Sequence, residues 1–252
     1  MNLLIALVSA VMLLAQEPER LPVPAEAVGT SVQYDVRFVR GAFRAKMARA
    51  TIGLNSALRD KKEAVSVSFS VRAVNLFRLL MKGEYNVTTF CERENAAPLY
   101  YTSLIKPKGR TLHHEIFYTG YPGVIKMTKT AVDDGEKVLD IDFEQDGLSM
   151  DLASVYMFIR SLKPESLSSP FRFYVLMTQA KVPADLYYMG MDSEFWPGKS
   201  LVHYKILMPQ RGLMEDGSGN ELHVWMEADG RKEMVGLDIK LSKAHVEARL
   251  RE

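Results

Sequence analysis

Cysteine is nearly missing from this sequence. Cys91 stands alone among 252 residues, so no intrachain disulfide can form and the fold must rest on its hydrophobic core. No cysteine lies near the start to accept a lipid anchor. An excess of one charge is missing too: 32 Lys and Arg stand against 31 Asp and Glu, a formal net charge of +1. Without a domain-scale field to hold a polyanion, nucleic acid is not an expected partner. The patterns GxSxG, HExxH, GxxxxGK[ST] and GxGxxG do not occur, which removes the usual nucleophile elbow, zinc helix and phosphate cradles. Repeats and low-complexity tracts are also missing.

What is present begins with MNLLIALVSAVMLLA, fifteen residues without a charged side chain. That run is short for a bilayer span and suits the apolar region of a signal peptide. The reading is residues 1–15 as a signal peptide cleaved near Ala15, 16–30 as a Pro-containing linker, and 31–252 as a single β-rich domain. It predicts an exported protein of the periplasm or cell envelope that does not span the membrane after cleavage.

The rest is 47% hydrophobic and 25% charged, a globular profile. Period-two alternation recurs at Tyr34, Val36, Phe38 and at Val65, Val67, Phe69, Val71. Leu112 to Tyr118, Val124 to Thr130 and Val138 to Phe143 follow, divided by Pro107-Lys108-Gly109, Tyr121-Pro122-Gly123 and Asp133-Asp134-Gly135. Phe171 to Lys181, Leu186 to Phe195 and Leu201 to Met208 read as further strands, then a polar loop at Pro209 to Asn220. Three last strands place Leu222, Val224, Met226, then Val235, Leu237, Ile239, then Val246, Ala248, Leu250 on one side. The one strong helical pattern spans Asp151 to Lys163, with Leu152, Val155, Tyr156, Ile159 and Leu162 on one face, Ser149 or Asp151 as cap and Pro164 as stop.

These elements predict a mainly β fold: a single strongly curved antiparallel sheet, an incomplete β barrel with one covering helix. A lone amphipathic helix must bury its stripe against the apolar face of that sheet. The interior then either holds a hydrophobic molecule or is packed solid. Tyr156, Met177, Trp225 and Met226 are the candidate ligand-binding residues, since adaptable Met and amphipathic aromatics line apolar sites well. Asp151, Ser154, Arg160 and Asp229 are candidate structural residues, with Asp229 one partner for Arg160. His113 and Glu115, on one side of a strand, are weak candidates for a metal; a polar outer face is the simpler account. No catalytic residue and no cofactor is indicated.

Several of these stretches resemble a family of exported bacterial proteins of unknown function, DUF3108. The likeness lies in Asp151-Leu-Ala-Ser154-Val-Tyr156-Met-Phe-Ile-Arg160, in Trp225 and Asp229 of VWMEADGRK, in Glu194-Phe-Trp-Pro197-Gly198, and in Tyr34-Asp-Val. The resemblance implies an envelope location and an antiparallel sheet curled around a helix, somewhat like lipoprotein-carrier folds. It carries over no catalytic residue. The functional expectation is a non-catalytic envelope module that binds a lipid or other hydrophobic molecule. The alternatives are a structural module with a solid core that meets an envelope protein partner, and an envelope hydrolase or metal enzyme.

Overall fold

The computed structural model describes residues 18–251 apart from 76, 81–83, 106–109, 121–122, 168–169, 178, 211 and 214–218. The expected signal segment, 1–15, lies outside the described residues, as do parts of the loops at 107–110 and 210–220. The strands are β1 (Ser31–Arg40), β2 (Phe43–Arg59), β3 (Lys62–Ala73), β4 (Glu84–Glu92), β5 (Pro98–Ile105), β6 (Leu112–Tyr118), β7 (Gly123–Ala131) and β8 (Lys137–Gln145). After these come β9 (Ser149–Met150), the helix α1 (Leu152–Ser161), β10 (Phe171–Met177), β11 (Ala180–Asp192), β12 (Leu201–Leu207), β13 (Glu221–Glu227), β14 (Met234–Lys240) and β15 (His245–Leu250). Phe77–Leu80 makes a single helical turn.

All fifteen strands form one sheet in the order β8-β7-β6-β5-β4-β3-β2-β1-β15-β14-β13-β12-β11-β10-β9. It is two meanders, antiparallel except for the short parallel β9–β10 pair, joined where β1 pairs with β15, Tyr34 opposite Leu250. Register shifts at Val36/Arg37, Phe90/Cys91, Lys129/Thr130, Tyr188/Gly190 and Trp225/Met226 bend the strands, as bulges do. The result is a nearly closed barrel. Its two ends meet where Lys181 donates to the Glu144 carbonyl at 2.7 Å and pairs with Asp146, while Tyr174 N–H donates to Leu148 O at 2.8 Å.

β2 is a 17-residue strand that the alternation did not reveal. Its inward positions are Ala48, Ala50, Ile52 and Leu54, opposite Ala73, Val71, Phe69 and Val67. Alanines at half of these, with Gly53 and Asn55 outward, give weak strand propensity and little contrast between faces.

The helix differs from its one-stripe pattern. Every residue from Ala153 to Ser161 is buried, Ser154 and Arg160 included, while Leu152 of the expected stripe is 51% exposed. A helix buried all round is enclosed by its partners. α1 sits inside the wall, against β3, β4, β9 and β10, and hydrogen bonds meet polar groups at both of its ends. Asp151 caps it, Oδ1 accepting from Ala153 N–H at 2.9 Å and Ser154 N–H at 3.1 Å. The same carboxylate accepts from Thr89 of β4 at 2.9 Å, Tyr118 of β6 at 3.0 Å and the Ser154 hydroxyl at 2.5 Å. At the far end Arg160 donates to the Tyr156 hydroxyl and the Arg231 carbonyl.

Residues 18–30, read as a linker, pack against that far end. Leu21 N–H donates to Ser161 O at 2.7 Å, Val23 N–H to Arg93 O at 3.0 Å, and Val23 and Ala27 are buried. Together with the 93–97 and 228–233 turns they close the barrel end beneath the helix C-terminus.

Replacing Asp151 by Ala removes the cap and leaves Thr89 and Tyr118 without their acceptor. A cap contributes about 1 kcal/mol and each stranded buried hydroxyl costs about 1–3 kcal/mol. The expected loss is roughly 3–4 kcal/mol, read as a lower urea midpoint, with Asp151→Asn losing about half. A midpoint unchanged by Asp151→Ala would contradict this account of the helix.

Candidate functional site

The half of the barrel that α1 does not fill is a cavity of about 480 Å³, within the ~300–1,000 Å³ range of small-molecule sites. One wall comes from β3 to β6, through Phe69, Val87, Tyr101 and Ile116; the facing wall comes from β12 to β14, through Ile206, Val224, Met226 and Leu237. The first turns of α1 supply Leu152, Ala153, Val155 and Tyr156 as its floor. Tyr85, Ile105, Met177, Leu213 and Ile239, at strand ends or in the connecting loop, place the open side toward the β12–β13 and β4 ends.

This wall follows from period two. On β3 the odd residues Val65, Val67 and Phe69 face in, and the registers carry that parity across the sheet: Phe69 opposite Val87, Thr89 opposite Tyr101, Tyr101 opposite Ile116, Ile116 opposite Met127. The same parity sends two ionisable groups inward. His114 is 7% exposed and Lys129, its register partner on β7, is 4% exposed. Burial, with the Lys129 charge and then His113 beside it, holds the His114 imidazole down at about 4. Its Nε2 is buried without a hydrogen-bond partner, and its ring meets the Tyr101 ring edge-on at 5.1 Å.

Of the residues singled out from sequence, Tyr156, Met177 and Met226 line the cavity. Trp225 does not. It lies on the outer face of β13, stacked on Phe195 at 4.0 Å and His203 at 4.6 Å, with Nε1 donating to Asp192 at 2.8 Å. The reason is parity: if Val224 points in, Trp225 points out. Asp151 lines the cavity floor and caps the helix, and Ser154 lies buried in the first helical turn. Arg160 reaches the Arg231 carbonyl, two residues beyond Asp229, and Asp229 itself is exposed in the β13–β14 turn. His113 and Glu115 are on the outer face of β6, 3.6 Å apart, His113 bonded to Thr102 at 2.7 Å and Glu115 accepting from Tyr100 at 2.5 Å. No cluster of three metal-binding side chains occurs among the described residues.

Cys91 is fully buried beside the helix start, and burial pushes its thiol up. That is the environment of an inert thiol. No described helix is long and apolar enough to cross a membrane.

A sequence model of the family described as "Protein of unknown function (DUF3108)" matches residues 33–251. The chain belongs to that family. Among solved structures, the DUF3108 chain is similar to a β-barrel-like protein of domain of unknown function DUF1849 from Brucella abortus, with a TM-score of 0.57 and 9% identity. The match covers 93% of this chain and 98% of that one; at such identity it speaks for the fold alone. No curated protein matches the chain.

Inside the DUF3108 barrel, the functional candidates that sequence reading passed over are His114, Lys129, Tyr85, Tyr101 and Ser103. The signal was available. His114 and Lys129 share the parity of Ile116 and Met127, but a charged residue in an alternating strand reads by default as outward.

The depressed His114 couples stability to acid. An unfolded chain takes up a proton near 6.5 and the folded one only near 4, so between these values the unfolded state binds more protons. Stability is then full above about pH 6.5 and falls as pH drops toward 4. At about 1.4 kcal/mol per unit, the His114 share is on the order of 2–3 kcal/mol. Urea titrations at pH 7 and pH 4 should show His114→Leu losing less stability than wild type by that amount. Equal losses would rule this coupling out.

Proposed function

We propose that this DUF3108 protein is an exported, non-catalytic envelope module that holds a lipid or other hydrophobic molecule inside its curved sheet. The observation that carries the proposal is the cavity of about 480 Å³, walled on facing sides by Val, Ile, Leu, Met and Phe side chains. A solid interior would leave no such space, since natural cores pack to crystal-like density with few voids larger than water. Apolar cavities of that kind stay dry or take apolar guests. The flexible side chains among the lining, Met177, Met208, Met226 and Met234, suit a guest of variable shape.

Two observations support the non-catalytic part. His114 Nε2 has no hydrogen-bond partner, so no hydroxyl or thiol is held by a base at that atom. The carboxylate in the lining, Asp151, already accepts from Thr89, Tyr118, Ser154 and the backbone of the helix start. Export is supported by the uncharged first fifteen residues.

The test is solvent extraction and mass spectrometry of protein purified gently from its own envelope. The expected result is one class of hydrophobic molecule near one-to-one stoichiometry. Val224→Trp, which puts an indole into the space, should lower that occupancy several-fold while leaving the circular dichroism spectrum β-like. Empty wild-type protein that also fails to take up added lipid would refute the reading.

A further inference from the structure

Within the apolar lining, one spot is polar and incomplete. His114 is 7% exposed, lines the cavity and leaves Nε2 without a partner. An unmet buried polar atom destabilises the fold, a cost that a leucine at the same place would not carry. Around it, the Tyr101 hydroxyl donates to Ser103 Oγ at 3.0 Å and lies 3.4 Å from the Tyr85 hydroxyl. Lys129, facing His114 across the β6–β7 ladder, makes this part of the wall electropositive.

Asp151 offers a contrast in the same cavity. Its oxygens are occupied by donors from β4, β6 and the helix start, so the floor asks nothing of a guest. The His114 spot does.

We propose that the His114 spot receives the carboxyl group of an acyl-chain guest, with His114 Nε2–H and the Tyr85–Tyr101 hydroxyl pair as donors and the hydrocarbon along the apolar walls. The proposal rests on the reading that the cavity holds a hydrophobic molecule and adds which end is recognised and by what. A phosphate headgroup fits less well. It asks for several charged donors, typically an arginine fork, and among the described lining residues there is neither arginine nor lysine. One imidazole donor, tyrosine hydroxyls and one neighbouring ammonium match a single carboxylate. An entirely apolar guest would leave the Nε2 cost standing.

The experiment uses the purified protein with a neutral apolar fluorophore, phenylnaphthylamine, displaced in turn by dodecanoate and by methyl dodecanoate. Wild type is compared with His114→Leu and His114→Gln, the amide of glutamine taking roughly the place of Nε2. Leucine removes an unpaired polar group, so folding is retained, and fluorophore uptake by each variant confirms it.

The expected result is dodecanoate binding about tenfold tighter than its ester in wild type, the increment of one charge-assisted hydrogen bond. That ratio should fall to about one in His114→Leu and return in His114→Gln. Fluorophore uptake with no preference for the acid, or a preference that survives His114→Leu, overturns the headgroup assignment while the apolar cavity stands. Absence of uptake of the fluorophore, the acid and the ester by wild type overturns both.

Discussion

Everything inside the barrel hangs on the Asp151 carboxylate. A buried carboxylate is costly unless its lone pairs are met, and here they are met from three directions: the helix start, β4 through Thr89 and β6 through Tyr118. Because these partners belong to different elements, the bond set fixes where α1 begins in the lumen. The opposite end carries the opposite charge, with Arg160 in the last turn and Lys232 Nζ donating to Leu162 O at 3.2 Å. Negative charge at the first turn and positive charge at the last agree with the helix dipole. The height of the cavity floor is therefore set by electrostatics at the two helix ends, and its shape by packing between them.

That arrangement explains why one interior can hold both a tight core and an open space. Below Asp151, Phe158, Met157 and Ile159 meet Phe173, Val182 and the buried side of β1 to β3 in one continuous cluster. Above it, Ala153 and Leu176 meet Val87, Ile116 and Met127 in a smaller one. The small Ala153 side chain leaves the upper half unfilled where a larger residue would have closed it.

The fold class was legible because alternation is a local property, visible at Val65 to Val71 and Leu222 to Met226. Cap and stop of the helix were legible for the same reason. Enclosure was not. Whether a sheet covers one side of a helix or surrounds it depends on the bulges, and a register shift such as Trp225/Met226 leaves no mark in a single strand. Tyr156, Met177 and Met226, picked by residue type, lie in the cavity lining. Trp225, picked on the same ground, lies outside it, because residue type outweighed a parity that already turned that side chain outward. His114 was not among the chosen residues: alternation sets it opposite His113 and Glu115, but what it meets inside depends on the register of several successive strands.

The junction between β1 and β15 has a further meaning. It joins residues at opposite ends of the chain, Tyr34 and Leu250, whereas each meander on either side pairs only neighbours in sequence. Contacts between chain-distant segments form late, because their loop entropy must be met first. The cavity has one wall in each meander, so it comes into being only when that last ladder closes. Until then each half shows water a bare apolar hollow of the kind that drives aggregation. The step that creates the cavity is thus the same step that hides both of its apolar walls from water.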